Sequence, residues 1–223
     1  ESLLQDAYYR AFDSSADIVI FGMREKSLNG TTFNVPNGLI SNGGRIQGEN
    51  ISLSDVTPYL YDKMFLLEYI KKNKFKLLEQ SVGEDAYFTY TSLFSTGKII
   101  SLNKYLLTRI VRKNGLMSTY AKNYKDEFNL HISMLAWLKK NKPELIEEYQ
   151  LKISETLYWF LFDMTRVKED FKVKFFVEIR ENYFEKLELD KIVVSKYSED
   201  LQFQERLNKI QDVFKKYNYD SAR

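Results

Sequence analysis

ADIVIFGM, residues Ala16 to Met23, contains the unbroken apolar run Ile18-Val19-Ile20-Phe21. A strand with one wet face would alternate polar and apolar residues. This run does not, which predicts a strand covered on both faces, as in an α/β sheet with flanking helices. Ahead of it, ESLLQDAYYRAF reads as a helix with Leu3, Ala7 and Phe12 on its inner face. Behind it, REKSLNGTTFNVPNGLISNGGRIQGEN carries Asn-Gly at 29–30, 37–38 and 42–43. Such pairs tolerate positive φ, which predicts short strands joined by tight turns, with TTFNV as one strand. The segment reads either as a surface hairpin or as an insert beside a site.

Further along, Ser52 or Ser54 is placed to cap a short helix, and Pro58 breaks any longer one. Met64, Leu66, Leu67 and Ile70 predict a helix whose exit carries Lys71, Lys72, Lys74 and Lys76. A helix is expected from about Asp85 to Phe94, then a turn and short strand over Gly97 to Leu102. YLLTRIVRKNG predicts a further strand ending at Asn114-Gly115. The last hundred residues read as mostly helical: Asn123 to Lys139, then Glu144 to Met164 with Pro143 in its first turn, then two more helices in KEDFKVKFFVEIRENYFEKL and SEDLQFQERLNKIQDVFKKY.

Hydrophobic residues make up 44% of the 223-residue chain and charged residues 29%, a balance that supports a real core and argues against general disorder. With no cysteine, disulfides and thiolate-held zinc are excluded, and a reducing compartment fits. No run of eighteen apolar residues marks a membrane span. Net charge is only +2, yet residues 60–125 carry +7 and the remainder −5. That asymmetry suits either an anion-binding face or ordinary solvated charge.

The Glu84-Asp85 pair has two readings. As helix-capping acids, both satisfy amide donors at a helix start. As catalytic groups, one accepts the proton of an attacking hydroxyl. Arg109 and Arg112 suit phosphate or an anionic acceptor, since guanidinium forks match phosphate oxygens. A strand sends residues i and i+3 to opposite faces, however, so one shared clamp needs a turn near Ile110-Val111. His131 is the only histidine, so a multi-histidine metal site is impossible and a structural or surface role is expected. Neither G-x-G-x-x-G nor a phosphate-binding loop signature occurs. Tyr61, Phe65, Tyr69 and Phe75 beside the lysines allow base stacking, but their helical spacing favours a core role, and nucleic acid is not favoured as a partner. Trp159, Phe160, Phe162, Phe175 and Phe176 suit burial, an oligomer contact or a membrane surface.

Taken together, DAYYRAFDSSADIVIFG, TPYLYDKMFLLEYIKKNKFKL and SVGEDAYFTYTSLFSTGKIISLNKYLLTRIVRKNGLMS resemble, in that order and spacing, the later part of a bacterial family 2 glycosyltransferase with the GT-A fold. The resemblance covers Glu1 to Ser118. It implies an α/β, incomplete GT-A-like fold over residues 1–118 and a predominantly α-helical extension over 119–223. Asp85 is implied as catalytic base, with Glu84, Asp62 and Lys63 supporting the acceptor or the loop. Arg109, and more distantly Arg112, match the family's later arginine and are implied as phosphate or acceptor contacts. The family's nucleotide-binding half and its D-x-D acids are expected to precede Glu1. A divalent metal, Mg2+ or Mn2+, is therefore expected only in the complete enzyme, and the isolated chain is expected to be inactive. The implied reaction moves a sugar from a nucleotide-sugar donor to a glycan or other hydroxyl acceptor by inverting direct displacement, in bacterial polysaccharide synthesis. A cytoplasmic location, at the inner face of the membrane through the full-length protein or its partners, and a homo-oligomer through the helical extension go with that reading. The alternative is a non-catalytic interaction or regulatory domain that retains a transferase-like half.

Overall fold

The structure, a computed structural model, describes residues 2–35, 37–40, 44–46, 51–112, 123–158, 177–183 and 185–188, together with 205, 208, 209 and 212. The chain divides into two compact units, residues 1–134 and 135–223. The junction expected near Ser118 lies outside the described residues.

In the first unit, helix α1 (Ser2–Ser14) leads into strand β1 (Ile18–Lys26). Strands β2 (Thr32–Asn34), β3 (Gly44–Ile46), β4 (Lys63–Phe65) and β5 (Ile99–Ile110) complete one mixed sheet in the order β2-β1-β5-β3. β4 also pairs with β1, antiparallel to its start at Ile18 to Ile20, while β2 pairs with its end at Arg24 to Lys26. β1 and β5 run parallel at the centre, and β3 is antiparallel to β5. The long connection from β1 to its parallel partner β5 includes β4 and then helices α2 (Leu67–Asn73) and α3 (Glu84–Leu93), as a parallel pairing requires a long crossover.

The apolar run of β1 is covered on both faces. Ile18 and Ile20 are wholly buried on one, and Val19 and Phe21 lie in a cluster with Ala7, Ala16, Ile100 and Leu102 on the other. Small Ala7 and Ala11, one turn apart, form the seam by which α1 meets this cluster. Phe12 was expected beside Ala7 but stands 71% exposed, because it lies about 100° round the helix from Ala11.

Two other expectations are corrected. Met64 belongs to strand β4 rather than to the following helix, which starts at Leu67. GKIISL and YLLTRI are not two strands: β5 runs unbroken for 12 residues through the polar Asn103 and Lys104. Its register against β1 shifts around Gly22, where a Cβ would meet the Tyr105 ring at 2.7 Å and Ile40 Cδ1 at 2.9 Å. That irregularity adds local twist and admits the polar residues without ending the strand. Ser52 does cap a short 3-10 turn, Leu53–Asp55, and no regular element spans Pro58.

Helix α4 (Tyr124–Asn141) contains the division between the units. His131 on it is buried, its Nε2 3.5 Å from Glu127 one turn back. In the second unit, Pro143 opens a 3-10 turn before α5 (Ile146–Tyr158), where Tyr149, Ile153 and Leu157 make a buried stripe at helical spacing. Ile179, Tyr183 and Leu187 repeat that spacing. The carboxy-terminal aromatic residues 159, 160, 162, 175 and 176, and Asn114-Gly115, lie outside the described residues. No described helix is long and apolar enough to cross a membrane.

Candidate active site

Asp85 is the second residue of α3. Gly83 precedes the helix in the left-handed region, φ 78°, and offers no side-chain cap. A side chain there would also crowd Leu130 Cδ2 at 3.0 Å, so the tight approach requires glycine. The backbone N–H groups of Ala86 and of Asp85 itself, at the helix start, favour the ionised form of the Asp85 carboxyl. Asp85 thus sits in the first turn of the helix and is partly exposed. Burial pushes its carboxyl above the usual carboxylate range, and the neighbouring Glu84 charge adds to that. The backbone bonds and the Lys63 ammonium oppose the rise. A carboxylate so placed is a stronger base than a free one.

Asp62 and Lys63 lie where the preceding loop enters β4. Asp62 is 1% exposed, and Lys63 is buried too. Lys63 Nζ donates to Asp62 Oδ1 at 2.5 Å, Tyr59 O at 2.8 Å, Thr57 O at 2.9 Å and Thr57 Oγ1 at 3.0 Å. Thr57 in turn donates its hydroxyl proton to Asp62 Oδ2. Four oxygens around an ammonium with three protons make a shared, fully engaged cluster. Burial lowers the Lys63 pKa, with Asp62 and then Asp85 working against it. The cluster closes the 57–63 loop on itself and pins it to β4. Asp62 offers a substrate no surface, so its part is to hold the loop.

Arg109, near the end of β5, reaches the same loop from the sheet. It pairs with Glu25 of β1, donates to the Tyr61 hydroxyl at 3.2 Å and lies 5.2 Å from the centre of the Tyr59 ring. Burial works to lower its pKa, but the bonds to Glu25 and Tyr61 prevail and hold it above the ordinary value. Tyr59 and Tyr61 stack, with ring centres 5.1 Å apart and planes 13° from parallel. Burial pushes the Tyr61 phenol pKa up, against the pull of Arg109. Arg112 is exposed beyond the end of β5.

The structure ties Asp62, Lys63 and Arg109 to one loop, while Glu84 and Asp85 open helix α3, where the Lys63 charge acts on Asp85. Thr57, Tyr59 and Glu25 belong to the same constellation and escaped sequence reasoning. The alternation of Tyr59 and Tyr61 was the available signal. The aromatic set Tyr61, Phe65, Tyr69 and Phe75 divides instead: Tyr69 is buried and donates to Ser92 O at 2.7 Å, while Phe65 and Phe75 pack edge-on to Phe88. Of these four rings only Tyr61 is exposed.

Among the described residues no group of three or more His, Asp or Glu side chains is placed to hold a metal ion. Glu84 and Asp85 supply two carboxylates, and Asp85 is already engaged with backbone amides. The donor set does not fit a metal. A cleft of about 630 Å3 lies elsewhere, between α1 and the β3–β5 side of the sheet, with Asp6, Arg10, Asp13 and Lys104 in its wall. Asp85 does not line it, and the Asp6–Lys104 pair at 2.5 Å is well exposed to solvent. Size alone does not make it the reaction site.

No family model matches the chain, and no curated protein matches it. Solved structures do. S. aureus TarS 1-349 in complex with UDP superposes with a TM-score of 0.60 over 96% of this chain and 62% of that one, at 15% identity. The same protein in complex with UDP-GlcNAc gives 0.57, at 17% identity, over 96% and 63%. A structure of S. aureus TarS gives 0.51, at 19% identity, over 75% of this chain and 28% of that one. The chain spans about three fifths of the length of TarS 1-349. At these identities the likeness is one of fold: a mixed α/β sheet with flanking helices and a helical extension is shared with TarS.

Proposed function

We propose that this chain is the acceptor-side part of a GT-A-like, family 2 glycosyltransferase that moves a sugar from a nucleotide-sugar donor to a hydroxyl. The observation that carries the reading is Asp85: a half-exposed, partly desolvated carboxylate, fixed at a helix start beside a rigid loop. Support comes from a protein of the same fold that holds UDP and UDP-GlcNAc. The donor-binding residues, and the acids for Mg2+ or Mn2+, belong to sequence outside this chain.

In the proposed step the acceptor hydroxyl donates a hydrogen bond to Asp85. As its oxygen bonds to the anomeric carbon, the bond from that carbon to the diphosphate breaks. The bonding pair leaves with the nucleotide diphosphate, and the proton passes to Asp85. Proton transfer develops with bond formation, since the carboxylate is too weak a base to ionise a free hydroxyl beforehand. Lys63 and Asp62 fix the loop that sets the distance. Attack from the side opposite the leaving group inverts the anomeric centre.

The test is the stereochemistry of the product formed by the full-length transferase. NMR of the new glycosidic linkage is expected to show the anomeric configuration opposite to the donor's. Retention of configuration would overturn the mechanism.

A further inference from the structure

Residues 66–77, LLEYIKKNKFKL, hold helix α2 and its exit, and the stretch is described without a gap. One side of α2 is covered: Tyr69 is buried and Ile70 half-buried. Leu67, Glu68, Lys71 and Lys72 are exposed. At about 100° per residue these four fill an arc of roughly 140°, opposite the Tyr69 and Ile70 side. Leu67 and Lys71, one turn apart, are neighbours on it. Lys74 ends the helix in the left-handed region, φ 57°. Phe75 then packs back on Tyr69 and Phe88, while Lys76 and Leu77 are again exposed.

Leu66, Leu67 and Leu77 are 44%, 59% and 49% exposed, three large apolar side chains left in water within twelve residues. Among the described residues, Lys71, Lys72, Lys74 and Lys76 have no carboxylate partner, whereas Lys104, Lys139 and Lys142 each have one. The helix C-terminus favours cations at 71 and 72. It does not account for Lys74 and Lys76, which lie beyond the last helical residue, Asn73. Four lysines against Glu68 give the stretch a charge of +3. A partner for it must be anionic and must also accept aliphatic side chains. Nucleic acid meets only the first condition. The rings that bases would stack on are turned inward, Tyr69 buried and Phe75 against Tyr69 and Phe88. A small ligand needs a concave seat, and none of these residues lines the cleft beside α1. A bilayer of anionic lipid meets both conditions. Its phosphates face the ammonium groups, its acyl boundary takes the leucines, and the lysine stems lie along the apolar surface.

We propose that the outer face of α2 and its lysine-rich exit form a docking surface for a bilayer rich in anionic lipid. The lysines hold the chain to the headgroups, and Leu67 and Leu77 insert at the acyl boundary. The surface needs neither the Asp85 chemistry nor a sugar donor, so it stands or falls apart from the transfer reading.

The experiment sediments the 223-residue chain with large unilamellar vesicles, either of phosphatidylcholine alone or of phosphatidylcholine and phosphatidylglycerol in equal parts. Binding to the mixed vesicles is expected to be at least about tenfold tighter and to weaken with added salt. A lysine near an anionic surface is worth about fivefold in affinity. Lys71→Gln, Lys72→Gln, Lys74→Gln and Lys76→Gln together should therefore weaken binding by at least about thirtyfold. Lys26→Gln, Lys98→Gln, Lys140→Gln and Lys186→Gln remove the same charge from exposed sites elsewhere and should stay within about fivefold. Leu67→Ser with Leu77→Ser should weaken binding by about threefold or more, with folding of every variant checked by circular dichroism. The chain has no cysteine, so Leu67→Cys takes a single environment-sensitive fluorophore. Its emission should shift to the blue on mixed vesicles, while the same label on Lys140→Cys should not move. The proposal is overturned if mixed vesicles bind no better than phosphatidylcholine, if the two lysine sets weaken binding equally, or if the leucine variant binds as the wild type does. A label at residue 67 that stays in water overturns it too. So does a single-stranded oligonucleotide that binds more tightly than the vesicles and is released by the first lysine set, since that result assigns the surface to nucleic acid.

Discussion

Replacing Lys63 with Met removes the ammonium at the centre of the 57–63 loop while keeping the length of the side chain. The Asp62 carboxylate, 1% exposed, would keep only the Thr57 hydroxyl among the side-chain donors it now has, and the carbonyls of Thr57 and Tyr59 would lose a donor each. Breaking one side of a buried ion pair costs about 3–5 kcal/mol, most of it the cost of the charge left behind. For a chain of this size, about 2–4 °C of Tm per kcal/mol gives a fall of roughly 6–20 °C. Urea denaturation followed by far-ultraviolet circular dichroism measures the loss directly. Adding Asp62→Asn to Lys63→Met removes the stranded charge and should restore a large part of it, since paired removal of a buried ion pair is often near neutral. A loss under about 1 kcal/mol in Lys63→Met would refute the claim that this cluster holds the loop.

At Gly22, alanine would push a methyl into the Tyr105 ring and Ile40, and a destabilisation of about 1–3 kcal/mol is expected on urea titration. Asp85→Asn tests the electrostatics of the acid itself. The folded-state pKa of Asp85 is raised, chiefly by burial, so its contribution to stability is complete below the ordinary aspartate value of about 4 and is lost as pH rises through the folded pKa. Asparagine cannot ionise, so the variant should be the more stable at pH 7. The gain should stay under about 1 kcal/mol because solvent still reaches the group, and the gap should close towards pH 4. A wild type that gains on the variant as pH rises would reverse the sign and contradict the assignment.

Local pattern made much of the fold legible. The doubly covered β1 announced itself through Ile18 to Phe21, and the two acids marked the start of α3. Patterns that depend on partners elsewhere did not read through. Asn103 and Lys104 looked like a break in a strand, but β5 passes them because its register against β1 shifts at Gly22. Phe12 looked like core, yet the alanine seam had already taken the inner face of α1. Met64 reads as helix by spacing, while pairing with Val19 makes it strand. The same holds for the site. Asp85 stood out by type and position. The bracing of Tyr61 by Arg109 and of Arg109 by Glu25 spans 48 and 84 residues of sequence, and only the folded sheet brings those groups together.

The most direct test is the kcat of Asp85→Asn in the full-length transferase, with folding checked by circular dichroism and Glu84→Gln alongside. A positioned general base contributes about 10²–10⁴-fold. Loss of turnover in that range by a folded Asp85→Asn, with a much smaller loss in Glu84→Gln, is the predicted result. A folded Asp85→Asn that turns over within about threefold of the wild type would contradict the account.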